Sequence, residues 1–227
     1  MRWVITGANR GIGLELVRQL ADRGDAVEAL ARATSPALSE LVARAPDRVR
    51  AITCDITTDA SVRAAVAAIG SVAVDVVVNN AGVMGKMQSL HDLDLEDVVR
   101  TFDVNALGAI RVTRALLPLL LRADTRRVVS ITSGMGSIED NTHGGAYGYR
   151  MSKAALNMAN RSMSVDLAHQ RVTCVVMNPG WVQTEMGGEG APTPVAESAS
   201  RMIGIIDELT LAQSGTFLDY RGGTIKY

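Results

Sequence analysis

Short apolar runs rich in β-branched residues alternate with amphipathic stretches along the whole chain, and this alternation most constrains the fold. Parallel strands buried on both faces read as near-continuous apolar runs, and each needs a crossover helix to reach the next. The strand candidates are Trp3 to Thr6, Ala26 to Ala31, Val49 to Cys54, Val74 to Asn79, Arg127 to Thr132, Arg171 to Met177 and Thr216 to Leu218. The helix candidates are Ile12 to Arg23, Pro36 to Ala45, Ser61 to Ile69, Leu95 to Arg122, Tyr147 to Ala168 and Val195 to Leu209. The pattern predicts an α/β fold with a doubly wound parallel sheet, the Rossmann fold, in a single domain over residues 1–227.

Charge and composition exclude several classes of partner. The net charge of −1 leaves no electrostatic footprint for nucleic acid or an anionic membrane. The chain enters an apolar segment directly after Met1 and Arg2, without a cationic leader, and its most apolar run, Ala115 to Leu121, is too short to span a bilayer. Cys54 and Cys174 have no partner at metal-binding spacing and read as buried thiols. We expect a cytoplasmic protein with no nucleic-acid partner, no membrane partner and no bound metal.

A glycine-rich turn follows the first predicted strand and opens the first helix, and it reads Thr6-Gly7-Ala8-Asn9-Arg10-Gly11-Ile12-Gly13. Its glycines permit a tight turn, close approach of a diphosphate to the backbone and close packing of helix on strand. The free N–H groups of the helix N-terminus then face the anion. The turn indicates a dinucleotide site, although its G-x-x-x-G-x-G spacing differs from the commoner fingerprint.

The end of the second strand indicates which dinucleotide is bound. An acidic residue there selects an unphosphorylated ribose 2′-hydroxyl, but no carboxylate follows Glu28 in this stretch. Arg32 can instead pair with a 2′-phosphate, with help from Arg10, unless both arginines are simply solvated. The sequence therefore favours NADPH over NADH.

Polar and small residues follow the third, fourth and fifth strands, at the edge of the sheet where ligands bind. Asp55, followed by Ile56, could accept a hydrogen bond from an adenine amino group or could cap the next helix. Asn79-Asn80-Ala81-Gly82 would let a cofactor lie close to the backbone or could be an ordinary turn. Ser133 places a hydroxyl where a substrate oxygen can reach it, although serine before glycine is also common in loops.

Tyr149 and Lys153 lie four residues apart in a predicted helix, on one face and one turn apart. An ammonium beside a phenol lowers the pKa of the phenol and makes it a usable acid or base, although any helix can carry this pair by chance. Asn105 falls inside the long fourth helix, where its low helix propensity indicates a contact with backbone or water.

Together these motifs resemble the short-chain dehydrogenase/reductase family, in the family's order and over nearly the whole chain. The resemblance rests on the glycine turn, Asp55, Asn79 to Gly82, Asn105, Ser133, Tyr149 with Lys153, and Asn178-Pro179-Gly180. The residues around Tyr149 and Gly215-x-Phe217-Leu218 look more narrowly like the small C-factor-like and Sniffer-like carbonyl reductases.

The resemblance implies an NADPH-dependent oxidoreductase that transfers hydride between nicotinamide and a small carbonyl or alcohol substrate. Tyr149 would act as the acid/base, and Lys153 would hold the nicotinamide ribose and lower the pKa of the tyrosine. Ser133 would polarise the carbonyl, although Ser137 competes for this role, and Asn105 would place a water in the proton relay. The residues expected to bind the cofactor are Gly7, Asn9, Arg10, Gly11, Ile12, Gly13, Arg32, Asp55, Ile56, Asn80, Ala81, Gly82, Tyr149, Lys153, Pro179, Gly180, Val182 and Thr184.

Three further expectations follow from the resemblance. The segment 185–194 is expected to form a mobile substrate lid, with Trp181 and Met186 either lining an apolar site or packing in the loop. A homo-oligomer, dimer or tetramer, is expected through the fourth and fifth helices. The alternative function is a C-factor-like signalling or regulatory protein that binds the cofactor but has little physiological turnover.

Overall fold

Every predicted strand is present in the computed structural model, which describes residues 1–227, and all of them join one parallel sheet. The strands are β1 (Arg2–Thr6), β2 (Ala26–Ala31), β3 (Val49–Thr53), β4 (Val76–Asn79), β5 (Arg127–Ile131), β6 (Thr173–Asn178) and β7 (Phe217–Asp219). The helices are α1 (Gly11–Arg23), α2 (Pro36–Arg44), α3 (Asp59–Ile69), α4 (Leu95–Phe102), α5 (Gly108–Leu120), α6 (Tyr147–Asp166) and α7 (Val195–Glu208). Apart from the long fourth helix, the predicted elements agree with the observed bounds to within two residues.

The strand order β3-β2-β1-β4-β5-β6-β7 confirms the predicted doubly wound sheet. β1 pairs with β2 on one side and with β4 on the other, so the winding of the chain reverses at β1. In such sheets ligands bind outside the carboxyl ends of the strands at this switch point. The loops after β1 and β4 are therefore the first place to look for a site.

The two faces of the sheet each bury their own hydrophobic core because neighbouring strand residues point to opposite faces. Trp3 and Ile5 lie in a cluster of 25 buried residues, which α1 and α7 cover. Val4 lies in a second cluster of 17 buried residues, which α3 and α5 cover. This double cover explains why the strands are apolar throughout rather than alternating.

The predicted single helix from Leu95 to Arg122 is wrong in one respect, because a π-helical turn at Asp103–Leu107 separates α4 from α5. The predicted helix start is confirmed, since the Asp94 side chain accepts hydrogen bonds from the N–H groups of Glu96 and Asp97. A π-helical turn widens the helix by one residue and is frequent at functional sites. Here it contains Asn105, whose low helix propensity had indicated an unusual contact inside the predicted helix.

The helices expected to form the interface of a homo-oligomer carry exposed apolar side chains, among them Leu95 and Val99 on α4 and Met158 on α6. Association stays a prediction that sedimentation can test. No helix of the protein combines the length and the apolarity needed to cross a bilayer.

Candidate active site

The loops after β1 and β4 are joined to each other by Thr6 and Asn80. Thr6 Oγ1 accepts hydrogen bonds from the backbone N–H groups of Asn80 and Ala81, each at 3.0 Å. Asn80 Nδ2 donates to the carbonyl oxygens of Thr6 at 2.9 Å and Gly7 at 3.2 Å. Asn80 was expected in a turn that lets the cofactor lie close to the backbone, and here its side-chain amide holds the two loops together. Sequence reasoning gave Thr6 no such role, although a hydroxyl at the carboxyl end of β1 was a usable signal.

The glycines of the turn are required by close backbone approach. Gly7 has φ +66°, and a Cβ there would lie 2.8 Å from Ala81 Cα. A Cβ on Gly13 would lie 2.3 Å from the carbonyl oxygen of Gly7, closer than non-bonded atoms approach. The close packing at the start of α1 agrees with the sequence pattern, and the structure adds the contact of Gly7 with the β4 loop.

The N-terminus of α1 has no side chain to satisfy its N–H groups. The N-cap residue Arg10 has extended backbone and makes no side-chain capping bond, and the first turn contains no acidic residue. The first N–H groups of a helix have no intrahelical partner, and together they act as a partial positive charge. An anion is the ligand that this end of α1 fits.

A cavity of about 710 Å³ runs from this helix end along the carboxyl edge of the sheet. Most of the predicted cofactor residues line it, namely Gly7, Asn9, Arg10, Gly11, Ile12, Arg32, Asp55, Ile56, Asn80, Ala81, Gly82, Tyr149, Lys153, Pro179 and Thr184. Gly13, Gly180 and Val182 do not line it, nor do the predicted catalytic residues Asn105 and Ser133. Gly13 acts through packing, Gly180 packs against Tyr220, and Val182 is buried in a bridge with Thr193. Sequence reasoning missed Val83, Arg100 and Val104, which line the cavity from the β4 loop, α4 and the π turn.

The charged residues at the far end of the cavity lie where the sequence analysis expected a 2′-phosphate. Arg32 follows the last residue of β2, and no carboxylate lies beside it on that strand. Hydrogen bonds from the backbone and hydroxyl of Thr57 lower the pKa of Asp55, and the nearby Arg32 lowers it further. The alternative of Asp55 as the cap of α3 is not observed, because Thr58 caps that helix. Arg10 forms an ion pair with Glu185 across the mouth of the cavity.

These features fit a dinucleotide. The glycine turn leaves room for a diphosphate, the N-terminus of α1 offers free N–H groups to it, and Arg32 provides a cation at one end. At the other end, Tyr149 and Lys153 line the same cavity.

Tyr149 and Lys153 both point from α6 into the site and are almost fully buried. The Lys153 ammonium lies 5.6 Å from the centre of the Tyr149 ring and donates a hydrogen bond to the Ile131 carbonyl oxygen at 2.8 Å. An ammonium has three N–H donors, so two remain for a ligand in the cavity.

The pKa values of the pair differ from the sequence expectation. Burial raises the pKa of Tyr149, and the hydroxyl of Ser133 partly offsets this effect. Burial also lowers the pKa of Lys153 to about 8. The expected lowering of the Tyr149 pKa by Lys153 is not found, because burial of the phenol outweighs the other contributions. Tyr149 therefore carries its proton at neutral pH.

Of the two candidate serines, only Ser133 contributes to the pKa of Tyr149, which its hydroxyl lowers. Its Oγ also accepts a hydrogen bond from the Met135 N–H at 3.2 Å, which begins a short 3₁₀ turn at Gly134–Gly136. The Ser137 hydroxyl instead accepts a hydrogen bond from the Asp140 N–H at 3.3 Å and is buried within the loop.

Asn105 is held in the π turn by two backbone contacts. Its Oδ1 accepts a hydrogen bond from the Val83 N–H at 2.8 Å, and its Nδ2 donates to the Val83 carbonyl at 2.9 Å. Nδ2 also donates to Ser152 Oγ at 2.9 Å, and that hydroxyl donates to the Tyr149 carbonyl. The predicted backbone contact is present, and it connects the β4 loop to the helix that carries Tyr149.

The segment 185–194, the predicted lid, is joined to the residues just before it by local hydrogen bonds. Trp181 Nε1 donates to the Gly187 carbonyl at 2.7 Å, and the Gly187 N–H donates to Thr184 Oγ1 at 3.1 Å. Met186 lines the cavity, whereas Trp181 does not and is 60% exposed. Both residues were expected either to line an apolar site or to pack in the loop, and only Met186 lines the cavity.

The fold and the site together define a doubly wound α/β protein whose cavity, at the carboxyl edge of the sheet, is lined by Tyr149 and Lys153 at one end. A family model for the short chain dehydrogenases matches residues 2–194. The chain is 53% identical to the C-signal of Myxococcus xanthus over 154 residues, which are 68% of this chain and 93% of that protein. It is also 34% identical to 1-hydroxy-2-glutathionyl-2-methyl-3-butene dehydrogenase of Rhodococcus sp. (strain AD45) over 94% of each chain.

Solved structures agree with these matches over the full length. NADPH-bound carbonyl reductase from chicken fatty liver superposes with a TM-score of 0.94 at 30% identity, covering 100% of this chain and 98% of that one. Carbonyl reductase Sniffer of D. melanogaster superposes with a TM-score of 0.95 at 32% identity, covering 100% and 99%. The chain belongs to the short-chain dehydrogenase/reductase family of oxidoreductases.

Proposed function

We propose that the protein is an NADPH-dependent reductase of small aldehydes and ketones, with Tyr149 as its proton donor. The observation that carries the proposal is the arrangement of Tyr149, Lys153 and Ser133. The first two line one end of a cavity whose other end has a free helix N-terminus and Arg32. A proton donor, an oxygen-binding hydroxyl and a site for a hydride carrier are the parts that carbonyl reduction needs.

The chemistry that a bound NADPH supplies is a hydride for the substrate's carbonyl carbon. As the C=O electron pair moves onto oxygen, Tyr149 gives its phenolic proton to that oxygen. The raised pKa of Tyr149 keeps the proton on the phenol at neutral pH until it is needed. Ser133 orients the substrate oxygen towards the phenol, and the charged Lys153 stabilises the negative charge that the phenol acquires.

The choice of NADPH rests on Arg32 and on the absence of a carboxylate after β2. Guanidinium groups bind phosphate through paired charge-assisted hydrogen bonds, and NADH has no 2′-phosphate to accept them. A related Burkholderia multivorans short-chain dehydrogenase/reductase, 33% identical with a TM-score of 0.89, has a structure with bound NADP. Titration with NADPH and NADH, followed by fluorescence, tests the preference, and tighter binding of NADH would contradict it.

The proton-donor role is tested by Tyr149→Phe, which removes one oxygen atom. We expect NADPH oxidation on a panel of aldehydes, ketones and quinones to fall by about 100-fold or more, because general acid catalysis contributes roughly 10²–10⁴-fold. Tyr147→Phe is the matched control, since Tyr147 lies on the same helix but outside the cavity. Unchanged turnover in Tyr149→Phe would remove Tyr149 from the mechanism.

A second candidate function is favoured by one specific observation, the 53% identity with the C-signal of Myxococcus xanthus. In this alternative the protein binds the cofactor and acts in signalling or regulation, with little turnover. Efficient reduction of any substrate in the panel would argue against it. NADPH binding without turnover of the panel would favour it.

A further inference from the structure

The last strand of the sheet contacts the candidate active site through a pair of side chains that the proposed mechanism does not use. Asn178 ends β6 and Asp219 ends β7, and the two residues are partners in the register of these strands. Asn178 Nδ2 donates a hydrogen bond to Asp219 Oδ2 at 3.0 Å. The pair therefore lies at the carboxyl edge of the sheet, next to the loop that carries Ser133.

The amide oxygen of Asn178 connects two loops of the site. Asn178 Oδ1 accepts hydrogen bonds from the N–H groups of Gly134 and Gly180, each at 3.3 Å. Gly134 directly follows Ser133, and Gly180 directly follows Pro179, which lines the cavity and is expected to bind the cofactor. One side-chain atom thus connects the loop of Ser133, which the proposed mechanism assigns to the substrate oxygen, with the loop of Pro179, which lines the cavity.

This connection works only for one orientation of the Asn178 amide, and Asp219 determines which one. An ionised carboxylate accepts hydrogen bonds but cannot donate them, so it must face the NH₂ group and not the amide oxygen. Asp219 is 8% exposed, and its Oδ1 accepts from the backbone N–H of Arg221 at 3.1 Å and from its Nε at 2.8 Å. Burial tends to raise the pKa of Asp219, but the hydrogen bonds from Arg221 and Asn178 outweigh it and lower the pKa below its usual value.

We propose that Asp219 is a positioning residue for carbonyl reduction, which it serves by holding the Asn178 amide so that Asn178 Oδ1 binds Gly134 and Gly180. The proposal rests on the proposed function. Without the correct amide orientation, the loops after Ser133 and Pro179 lose their shared acceptor, and the substrate oxygen and the hydride donor are no longer aligned. Small errors in such alignment lower the rate of chemistry far more than they lower binding.

A purely local role for Asp219 is the competing explanation. Its backbone N–H donates to the Gly223 carbonyl at 2.7 Å, and its carbonyl accepts from Gly222 at 2.8 Å, so the residue also lies in a turn of the C-terminal segment. In that case substitutions would lower stability and active fraction together, and changing Asn178 would not compensate for changing Asp219.

An exchange of the two side chains separates these explanations. Asp219 accepts from Asn178 with one oxygen and from Arg221 with the other. In Asp219→Asn only one oxygen remains, so the new NH₂ group must face the N–H donors of either Asn178 or Arg221. In Asn178→Asp, two carboxylates face each other at the present 3.0 Å contact. In the double variant Asn178→Asp/Asp219→Asn, residue 219 donates to residue 178 and still accepts from Arg221. The new carboxylate at residue 178 then accepts from Gly134 and Gly180, so every donor has an acceptor again.

We expect each single variant to lower kcat by about 10- to 100-fold, while the Kd for NADPH changes by about twofold or less. The double variant should recover kcat to within about threefold of the unmodified protein, because the two positions are directly coupled. Lys226→Met is the matched control, since Lys226 ties the C-terminal segment to Glu139 without contacting Asn178, and it should leave kcat unchanged. A kcat in Asp219→Asn within twofold of the unmodified protein, or a double variant no better than the single variants, would overturn the proposal.

Hydrogen exchange provides a readout that does not depend on turnover. The amides of Gly134 and Gly180 should exchange faster in Asp219→Asn than in the unmodified protein and should regain protection in the double variant. If the unmodified protein turns over nothing in the panel, the proposed function fails, and unchanged exchange at both amides would separately overturn the role of Asp219.

Discussion

Replacing Lys153 with methionine should stabilise the cofactor-free protein while abolishing its activity. Lys153 is 4% exposed, and a single acceptor, the Ile131 carbonyl, contacts its ammonium at 2.8 Å. Burial lowers its pKa from 10.5 to about 8. Since one pKa unit corresponds to about 1.4 kcal/mol, keeping the charged ammonium in this position costs about 3 kcal/mol at neutral pH.

Methionine has nearly the length of lysine without the charge, so the variant removes this cost and fills the same space. It also leaves the Ile131 carbonyl without its donor, which costs about 1–2 kcal/mol for a buried group. We therefore expect Lys153→Met to raise the free energy of unfolding by about 1–2 kcal/mol. Such a gain at the expense of activity is the usual relation between a functional charge and stability.

The pH dependence of this difference gives a second test with a definite sign. The pKa of Lys153 is lower in the folded protein than in the unfolded chain, so between about pH 8 and 10.5 the unfolded chain binds more protons. Raising the pH through this range therefore stabilises the unmodified protein but not the variant. Below about pH 8 both states of the unmodified protein are protonated, and the advantage of Lys153→Met should be constant.

Urea unfolding without cofactor, followed by circular dichroism at about pH 7 and about pH 10, measures both effects. Lys226→Met is the control, because Lys226 is an exposed lysine in an ion pair, and it should change stability by about 0.5 kcal/mol or less. A Lys153→Met variant that is less stable than the unmodified protein at neutral pH, or whose stability difference does not change with pH, would refute the reasoning.

Three further variants, with Gly204→Ala as the control for the first, test the glycine-rich turn and the charged residues of the cavity. Gly13→Ala should destabilise the protein by about 1–3 kcal/mol in urea unfolding, because its Cβ meets a backbone oxygen at 2.3 Å. Gly204→Ala, in open space on α7, should instead stabilise by about 0.5–1 kcal/mol. Arg32→Ser should weaken NADPH binding about 10- to 100-fold in fluorescence titrations and leave NADH binding unchanged, since only NADPH carries the 2′-phosphate. Glu185→Gln should tighten NADPH binding by roughly 2- to 5-fold at low salt. The substitution releases Arg10 from an exposed ion pair, so that Arg10 can interact with the cofactor phosphate.

Each of these expectations has an outcome that contradicts it. Equal stability of Gly13→Ala and Gly204→Ala would show that the turn can relax around a methyl group. An equal loss of NADPH and NADH affinity in Arg32→Ser would mean that Arg32 does not distinguish the two cofactors. A Glu185→Gln effect that persists at high salt would rule out the electrostatic explanation.

The fold was predictable in detail because its signals are local. The apolar runs identify the strands, and their lack of alternation indicates cover on both faces, which only a parallel sheet with crossover helices provides. The glycine turn was equally predictable from the sequence, since glycine is required where a Cβ would collide with backbone. The π turn at Asp103–Leu107 was not predictable, because its sequence remains compatible with an ordinary α-helix. Only Asn105, a residue of low helix propensity, indicated a departure from a regular α-helix at this point.

By itself the sequence determined the doubly wound sheet, the dinucleotide turn and the pairing of Tyr149 with Lys153, because each depends on the spacing of neighbouring residues. Only the tertiary structure decided how these parts are charged and connected. Burial depends on what packs around a side chain, and it raises the pKa of Tyr149 where the local pair predicted a lower one. The contact of Asn178 with Asp219 joins residues 41 positions apart through the pairing of β6 with β7, and no local pattern in the chain encodes that pairing.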